Sequence, residues 1–244
     1  EKKVCEECLS KGYRSCIKKR CVKGSLFASV VRVFSMKFHK MINVYKNVYA
    51  FITPSEFLKK KLALNGFDEK RIHCIPTFTA SKTTIGEPQI GSYGLYFGRV
   101  TEEKGVETVI KAYEKLPEYT VKIMGDDTTD EAKRLKKYVK DHKMKNVEFL
   151  GFKSGEELED IIKGARFTLI PSIWYDNLPN TALESFQYSK PVIASNIGSL
   201  PELVSDGENG YLFEPSNVED LIKKIKLVEK GLKTDSHRNH IMKL

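Results

Sequence analysis

The chain has 244 residues, 41% of them hydrophobic and 30% charged, and carries a formal net charge of +9. This composition is typical of a soluble globular protein with one large or two small domains, and it excludes a disordered or fibrous chain. Its apolar runs are shorter than the roughly 20 residues of a membrane-spanning helix, and its basic start lacks the apolar core of a signal peptide. We therefore expect a cytoplasmic protein.

The positive charge is concentrated in the first quarter of the chain. Residues 1–61 contain 15 Lys or Arg against 4 Asp or Glu, whereas the rest contains 26 against 28. A basic surface attracts anionic lipid headgroups, a phosphorylated acceptor or nucleic acid; the alternative is a solvated face that serves solubility. Aromatic residues suited to base stacking are sparse there, so we expect no nucleic-acid partner. Peripheral association with the inner face of a membrane stays open.

Four of the five cysteines lie close together near the N-terminus, at Cys5, Cys8, Cys16 and Cys21. The first pair has the spacing of a common zinc knuckle, so the four thiols are candidate ligands of a structural zinc ion. The alternative is four reduced thiols without a metal, because a reducing compartment disfavours disulfides. Cys74 lies in an apolar run and is expected in the core.

The first 76 residues predict the end of an α/β domain. Apolar residues recur every three or four positions from Gly24 to about Lys46, which indicates an amphipathic helix. Its apolar face suits packing against a sheet better than a membrane surface. Strands at 47–52 and 71–75 flank a helix that starts near Thr53. Two parallel strands cannot bury both of their faces, so residues 1–76 look like the remnant of a larger domain.

Residues 77–92 are rich in Thr, Ser, Gly and Pro, which predicts a linker. From there to residue 230, strands alternate with helices, which predicts a Rossmann-like parallel sheet with helices on both faces. Residues 231–244 form a tail. Capping boxes are predicted at Ser154 and Ser216. The strands are expected at 93–97, 120–124, 147–150, 166–170, 191–194 and 211–213.

One stretch of the second half combines a polar loop with a helix start. Pro171 to Phe186 follows an apolar strand, with Asp176 in the loop and Glu184 in the first turns of the helix. Open α/β sheets bind ligands at the carboxyl ends of their strands. Free N–H groups after Pro179 favour an anion, and a carboxylate such as Glu184 can accept hydrogen bonds from two sugar hydroxyls. The stretch predicts a sugar-nucleotide site.

Three further segments lie at the ends of predicted strands. The first, 98–105, carries Arg99 and Lys104, whose cationic groups can neutralise a diphosphate. The second contains Phe152, where the backbone can bond the edge of a base. The third is the turn 198–202. The alternative for its Glu202 is an acidic residue at a helix start that contacts no ligand.

In this order, these motifs resemble the C-terminal domain of the retaining, two-Rossmann-domain (GT-B) glycosyltransferases of family 4, or group 1. The resemblance covers about residues 50–230. The Cys-rich start and the run from Ser172 to Asn180 resemble members that build capsule, O-antigen or other surface polysaccharides. Besides the run Pro171 to Phe186, the matching motifs are G-R-x-x-x-E-K-G at 98–105, G-D at 125–126, F-L-G-F at 149–152, K-P-V-I-A-S at 190–195, I-G-S-L-P-E at 197–202 and G-x-x-G-Y-L-F at 207–213.

The resemblance implies transfer of a hexose from a UDP- or GDP-sugar to a glycan or lipid-linked acceptor, with retention at the anomeric carbon and no required cofactor or divalent ion. It implies that Arg99 and Lys104 hold the diphosphate and stabilise the charge that develops on it. Asp176 stands where the family has a glutamate near the transferred sugar. The substrate-binding set is completed by Glu184 on the ribose and by Phe152, Asn177, Leu178 and Asn180.

Other functions stay open at this point. One is a module that binds a nucleotide sugar without turnover, because the family's acceptor site belongs to the N-terminal domain. Another is a metal-dependent transferase that uses Asp126 and Asp127, although adjacent aspartates form a poor metal clamp. The third is a nucleic-acid binder, which would show strongly salt-dependent affinity.

Overall fold

The computed structural model describes residues 4–78 and 91–231. The chain divides into two compact units, Glu1–Pro76 and Thr77–Leu244. Most of the expected linker and nearly all of the expected tail lie outside the described residues. Within the described ranges, no helix has the length and apolar character needed to cross a bilayer.

The first unit contains two parallel strands that pair with each other and four helices. The short strands pair in register from Phe51↔Ile72 to Thr53↔Cys74. The helix predicted to reach about Lys46 ends at Met41 instead, and after Asn43, which has a positive φ of 50°, a 3-10 turn spans Val44–Asn47. The elements are α1 Glu7–Lys11, α2 Arg14–Lys18, α3 Leu26–Met41, β1 Phe51–Thr53, α4 Glu56–Leu64 and β2 Ile72–Cys74.

Helix α3 leaves an apolar face in solvent. Its N-cap is Ser25, whose hydroxyl accepts from the amide of Ala28. Ser29 and Val33 are buried, whereas Phe27, Phe34 and Met41 are more than two thirds exposed. The amphipathic helix predicted from the sequence is therefore present, and its apolar side is not covered by the described residues.

The N-terminal cysteines lie on and beside α1 and α2, and all of them are free thiols. Partial burial and the nearby thiols of Cys21 and Cys8 raise the pKa of Cys16, so these three groups are neighbours. Lys19 Nζ lies 3.6 Å from Cys5 Sγ. The described residues contain no group of three or more His, Cys, Asp or Glu arranged to hold a metal ion. Zinc binding by the four thiols stays a prediction.

The second unit contains a six-stranded parallel sheet with helices between the strands. Its elements are β3 Tyr93–Phe97, α5 Val106–Glu114, β4 Val121–Met124, α6 Asp130–Asp141, β5 Val147–Gly151, α7 Gly155–Gly164, β6 Ala165–Ile170, α8 Asn180–Gln187, β7 Val192–Ser195, α9 Leu200–Leu203, β8 Gly210–Phe213 and α10 Val218–Gly231. The strands lie in the order β5-β4-β3-β6-β7-β8. This confirms the predicted α/β, Rossmann-like fold.

Each central strand of this sheet is buried on both faces, as parallel strands covered by helices must be. Tyr96 of β3 packs into the core shared with α5, α6 and α10. Its neighbours Leu95 and Phe97 pack on the opposite face beside α7. In β7, Ile193 belongs to the first core and Val192 to a core with α8 and α9. The alternation explains why these strands appear in the sequence as short apolar runs.

Both predicted capping boxes are wrong. The Ser154 side chain makes no capping hydrogen bond, and Glu157 instead pairs with Lys153 at 2.6 Å. At α10 the cap belongs to Asn217, whose Oδ1 accepts from the amide of Asp220. Ser216 itself turns the chain with φ 63°.

Gly94 of β3 is required by packing, because a Cβ there would lie 2.3 Å from the Tyr113 hydroxyl oxygen and 3.0 Å from the Phe167 ring. We expect Gly94→Ala to lower the free energy of unfolding by about 1–3 kcal/mol through overpacking. Tyr113→Phe removes a buried hydroxyl that has no hydrogen-bond partner in the described structure, so alone it should be nearly neutral.

The double variant Gly94→Ala/Tyr113→Phe should recover most of the loss in urea unfolding, since the two substitutions act at one contact. A double variant as unstable as Gly94→Ala alone would show that the hydroxyl is not the obstacle.

Candidate functional site

The candidate site lies where the strand order of the sheet reverses, between β3 and β6. From β3 the chain builds outward to β4 and β5, then returns to place β6 on the other side of β3. The connections after β3 and β6 therefore leave in opposite directions and open a crevice at the carboxyl ends of these strands. The two loops that line it are 98–105 and 171–179, which are the two segments with the strongest sequence signals.

The two loops are joined backbone to backbone. The amide of Ile173 donates to the carbonyl of Glu103 at 3.0 Å. Gly105 begins the next helix with φ 67°, and a Cβ on it would lie 2.0 Å from the carbonyl oxygen of Pro171. Both the left-handed backbone and the close approach require glycine. The G-R-x-x-x-E-K-G motif thus ends in the residue that lets the loops touch.

A charged contact crosses the crevice. Lys104 Nζ donates to Asp176 Oδ1 at 2.5 Å, with side chains only 22% and 16% exposed. The hydroxyl of Ser172, itself buried, donates to the other oxygen, Asp176 Oδ2. Charge-assisted hydrogen bonds in a partly buried setting are the strong ones. The Asp176 carboxylate is therefore held from both sides and fixes the direction of the Lys104 ammonium.

Arg99 adds a second cation to the same loop. Its side chain is exposed and makes no hydrogen bond or ion pair with any residue that the structure describes. Its backbone is fixed, because the Tyr96 hydroxyl donates to the Arg99 carbonyl at 2.6 Å. Burial would raise the pKa of Glu103, but a hydrogen bond from its own backbone and the charges of Arg99 and Lys104 lower that pKa overall.

Glu184 lies in the second turn of α8 and is half-buried. Burial raises its pKa above the ordinary value. Among the residues that the structure describes, none forms a hydrogen bond or an ion pair with its carboxylate. A half-buried carboxylate without hydrogen-bond donors is costly. Hydroxyl groups of a ligand would supply such donors to the oxygens of Glu184.

Three of the remaining predicted residues have exposed side chains. Phe152 follows β5 with its ring 73% exposed, and Asn177 and Asn180 are exposed. Neither Phe152 nor Glu184 bonds directly to the Lys104–Asp176 pair within the described ranges. The Leu178 amide, which the resemblance assigns to the ligand, donates instead to Ser199 Oγ at 2.7 Å. That part of the expectation is corrected, because the amide is already engaged inside the protein.

Two serines were missed by the sequence reasoning. Ser172 bonds the Asp176 side chain, and Ser199 bonds the backbone of the same loop. The available signals were that Ser172 follows the last residues of a strand and that Ser199 lies in the conspicuous turn 198–202.

The adjacent aspartates of the G-D motif are occupied by protein groups. Asp126 Oδ1 accepts from the amide and the hydroxyl of Thr128, at 2.9 Å and 2.6 Å. Asp127 forms an ion pair with Lys136. These contacts shape the turn before α6 and account for both acids without a metal ion.

The sequence is similar to a known family and to individual proteins. The sequence pattern of the family described as glycosyl transferases group 1 matches residues 81–241. An uncharacterized glycosyltransferase of Methanocaldococcus jannaschii, MJ1178, is 34% identical over 134 residues, which are 55% of this chain and 37% of the relative. An uncharacterized 41.2 kDa protein in the cps region of Klebsiella pneumoniae is 33% identical over 149 residues, 60% of this chain and 37% of that protein. The chain thus spans about a third of the length of these relatives.

Solved structures share the fold. Anabaena HepE in complex with UDP and glucose superposes with a TM-score of 0.67 at 20% identity, over 79% of this chain and 56% of HepE. At this identity the likeness shows the fold alone. It agrees with the prediction of half of a GT-B fold.

The raised pKa of Glu184 makes stability depend on pH. Between the ordinary pKa of 4.5 and the raised one, the folded protein binds more protons than the unfolded chain. Stability therefore falls as the pH rises through this window, and the deficit remains above it. We expect Glu184→Gln to be more stable than the wild type at pH 8 and to lose this pH dependence, measured by urea unfolding from pH 4.5 to 8.

The matched control is Glu208→Gln, which changes an exposed carboxylate and should leave the pH profile unchanged. An equal gain in both variants would mean that net charge, rather than burial of Glu184, sets the effect.

Proposed function

We propose, since this chain belongs to the group 1 glycosyl transferases, that its second unit binds the nucleoside diphosphate sugar donor of a retaining hexosyl transfer. The observation that carries the proposal is the Lys104–Asp176–Ser172 contact at the switch point of the sheet. It places a directed ammonium group beside Arg99, in the loop that the family motif marks. The acceptor is a glycan or a lipid-linked glycan, and the pathway builds a surface polysaccharide.

Two comparisons support this choice of substrates. The HepE structure holds UDP and glucose in a protein of the same fold, so UDP-sugars are the first donors to test, with GDP-sugars next. The Klebsiella relative belongs to a cps region, which favours a polysaccharide role. The chain covers only part of its relatives, so the proposed acceptor is inferred from the family resemblance alone.

The reaction requires stabilisation of the negative charge that builds on the departing diphosphate. Lys104 and Arg99 provide this charge stabilisation, Lys104 as a directed ammonium group and Arg99 as a planar donor. Two cations on one loop can do so without a divalent ion, and we propose that none is required. A transfer assay in EDTA tests this point.

The two acids have different tasks. Asp176 is shorter than the glutamate usual in the family and is bonded to Lys104 and Ser172, so it positions the donor rather than attacking it. Glu184, without a protein partner in the described part of the chain, accepts the ribose hydroxyls. The backbone at Phe152 bonds the base, and Asn177 and Asn180 line the sugar end.

The test is transfer of labelled hexose from a panel of UDP- and GDP-sugars to lipid-linked glycan acceptors, beside thermal shifts with the same nucleotides. A ligand at 100 times its dissociation constant stabilises by about 2.7 kcal/mol. Nucleotide binding without transfer from any donor would support the alternative, a binding module without turnover. The absence of both would refute the donor site itself.

Lys104→Ala should weaken binding of UDP by about 10- to 100-fold, because a hydrogen bond to a charged group contributes about 1.5–3 kcal/mol. The measurement is isothermal titration with UDP. Lys115→Ala is the control, since Lys115 is an exposed lysine paired with Glu219 near the other end of α5. It should bind UDP like the wild type, and an equal loss in both variants would point to net charge alone.

The basic first unit is also proposed to associate with an anionic membrane surface. Its exposed apolar residues Phe27, Phe34 and Met41 share one face of α3, and Lys37 lies near the edge of that face. Apolar insertion and basic flanks together bind acidic headgroups.

Flotation with vesicles of phosphatidylglycerol and phosphatidylcholine should recover the wild type but not Phe34→Glu. Phe152→Glu, which changes an exposed phenylalanine of the second unit, is the matched control and should still float. No flotation of the wild type would leave α3 as a surface that packs against protein.

A further inference from the structure

The structure assigns one more residue to the donor site: we propose that Ser199 is a positioning residue that fixes the backbone of residues 176–178 and so aligns Asp176 with the donor's sugar. The inference rests on the proposed function and deepens it. Ser199 comes from the turn after β7, so a third segment of the sheet edge takes part in the crevice formed by the loops after β3 and β6.

One hydroxyl group closes a ring of hydrogen bonds around the loop. Ser199 Oγ accepts from the Leu178 amide at 2.7 Å and donates to the Asp176 carbonyl at 2.8 Å. The Ser199 amide approaches the same carbonyl at 3.3 Å. Ser199 is fully buried, so water does not replace these bonds when the hydroxyl is lost.

The loop needs this support because its conformation is unfavourable by itself. Leu178 has a positive φ of 54°, which a residue with a side chain adopts at a cost of about 1–3 kcal/mol. Its side chain is buried, and its amide faces Ser199. The chain bends at residues 177 and 178, and the Ser199 hydroxyl there satisfies the Leu178 amide and the Asp176 carbonyl.

Gly198 brings the turn close enough for this contact. It has φ 65°, and a Cβ on it would lie 3.1 Å from the Asp176 carbonyl oxygen and 3.2 Å from Tyr175 Cα. The turn therefore packs backbone against backbone, and Ser199 is the next residue. A larger residue at 198 would lift the loop away from the hydroxyl.

Asp176 is thus held at both ends. Lys104 and Ser172 fix its carboxylate, and Ser199 fixes its carbonyl. Lys104 comes from the other loop, so loss of the Ser199 hydroxyl affects its side chain only indirectly, through the contact with Asp176. Loss of the Ser199 hydroxyl should therefore disturb the sugar end of the donor much more than the diphosphate end.

The experiment compares Ser199→Ala with Ser199→Thr in the full chain. We expect Ser199→Ala to keep the UDP affinity of the wild type, to lose the extra affinity for UDP-glucose over UDP, and to lower kcat by about 10- to 100-fold, as a misplacement of about 1 Å does. Ser199→Thr keeps the hydroxyl and should restore part of the turnover. Titration calorimetry and a transfer assay supply the readouts.

Ser185→Ala is the matched control. Ser185 is also fully buried, and its hydroxyl also makes two hydrogen bonds, from Thr168 Oγ1 at 2.8 Å and to the Thr181 carbonyl at 2.6 Å. Neither bond reaches residues 176–178. This variant should lower the melting temperature but keep both the turnover of the remaining folded protein and its preference for UDP-glucose over UDP.

Three results would overturn the inference. One is equal loss of turnover in Ser199→Ala and Ser185→Ala at equal loss of stability, which would show a general structural role. Another is loss of UDP affinity in Ser199→Ala in proportion to kcat. The third is unchanged turnover and nucleotide preference in Ser199→Ala. A wild type that binds none of the UDP and GDP nucleotides and sugars of the panel would instead refute the proposed function, on which this inference depends.

Discussion

The ion pair between Lys104 and Asp176 is the contact on which the geometry of the crevice depends. Its partners are 72 residues apart in the chain, and they meet because β3 and β6 are neighbours at the point where the sheet reverses direction. The bond from Ile173 to Glu103 and the missing side chain of Gly105 bring the loops within reach. A residue with a Cβ at 105 would push the carbonyl of Pro171 away and separate the pair. The charged contact therefore depends on sheet topology and on one glycine.

Most of the sheet could be predicted from the sequence, because strands buried on both faces form short apolar runs between polar helix surfaces. The prediction failed where two local signals compete. The S-x-x-E pattern at Ser154 indicates a capping box, but Glu157 pairs with Lys153, and α7 begins at a glycine with a positive φ. The order of the strands was not predicted, because hydrophobic periodicity indicates where strands lie in the chain but not which of them pair.

For the candidate site, the sequence predicted which segments lie at the strand ends but not the bonds between their residues. The sequence placed Lys104 and Asp176 on separate loops and gave each a task toward a ligand. It contained nothing to show that they bond to each other before a ligand arrives. Ser172 and Ser199 were missed for a related reason: a serine is common in turns, and only the folded backbone shows which hydroxyl meets an unpaired amide or carboxylate. The same fold removes the Leu178 amide from the list of ligand donors.

Asp176 and Glu184 differ in whether protein groups compensate their negative charge. Asp176 has an ammonium and a hydroxyl as partners, so its partly buried negative charge is not left uncompensated. Glu184 has no such compensation from the described residues, and its raised pKa records the cost. A ligand that brings two hydroxyls to Glu184 removes part of this cost. A diphosphate does not need to break the Lys104–Asp176 bond, because an ammonium has three N–H donors and only one faces Asp176. Under the proposed function, the donor binds while Asp176 keeps its place, as a positioning carboxylate requires.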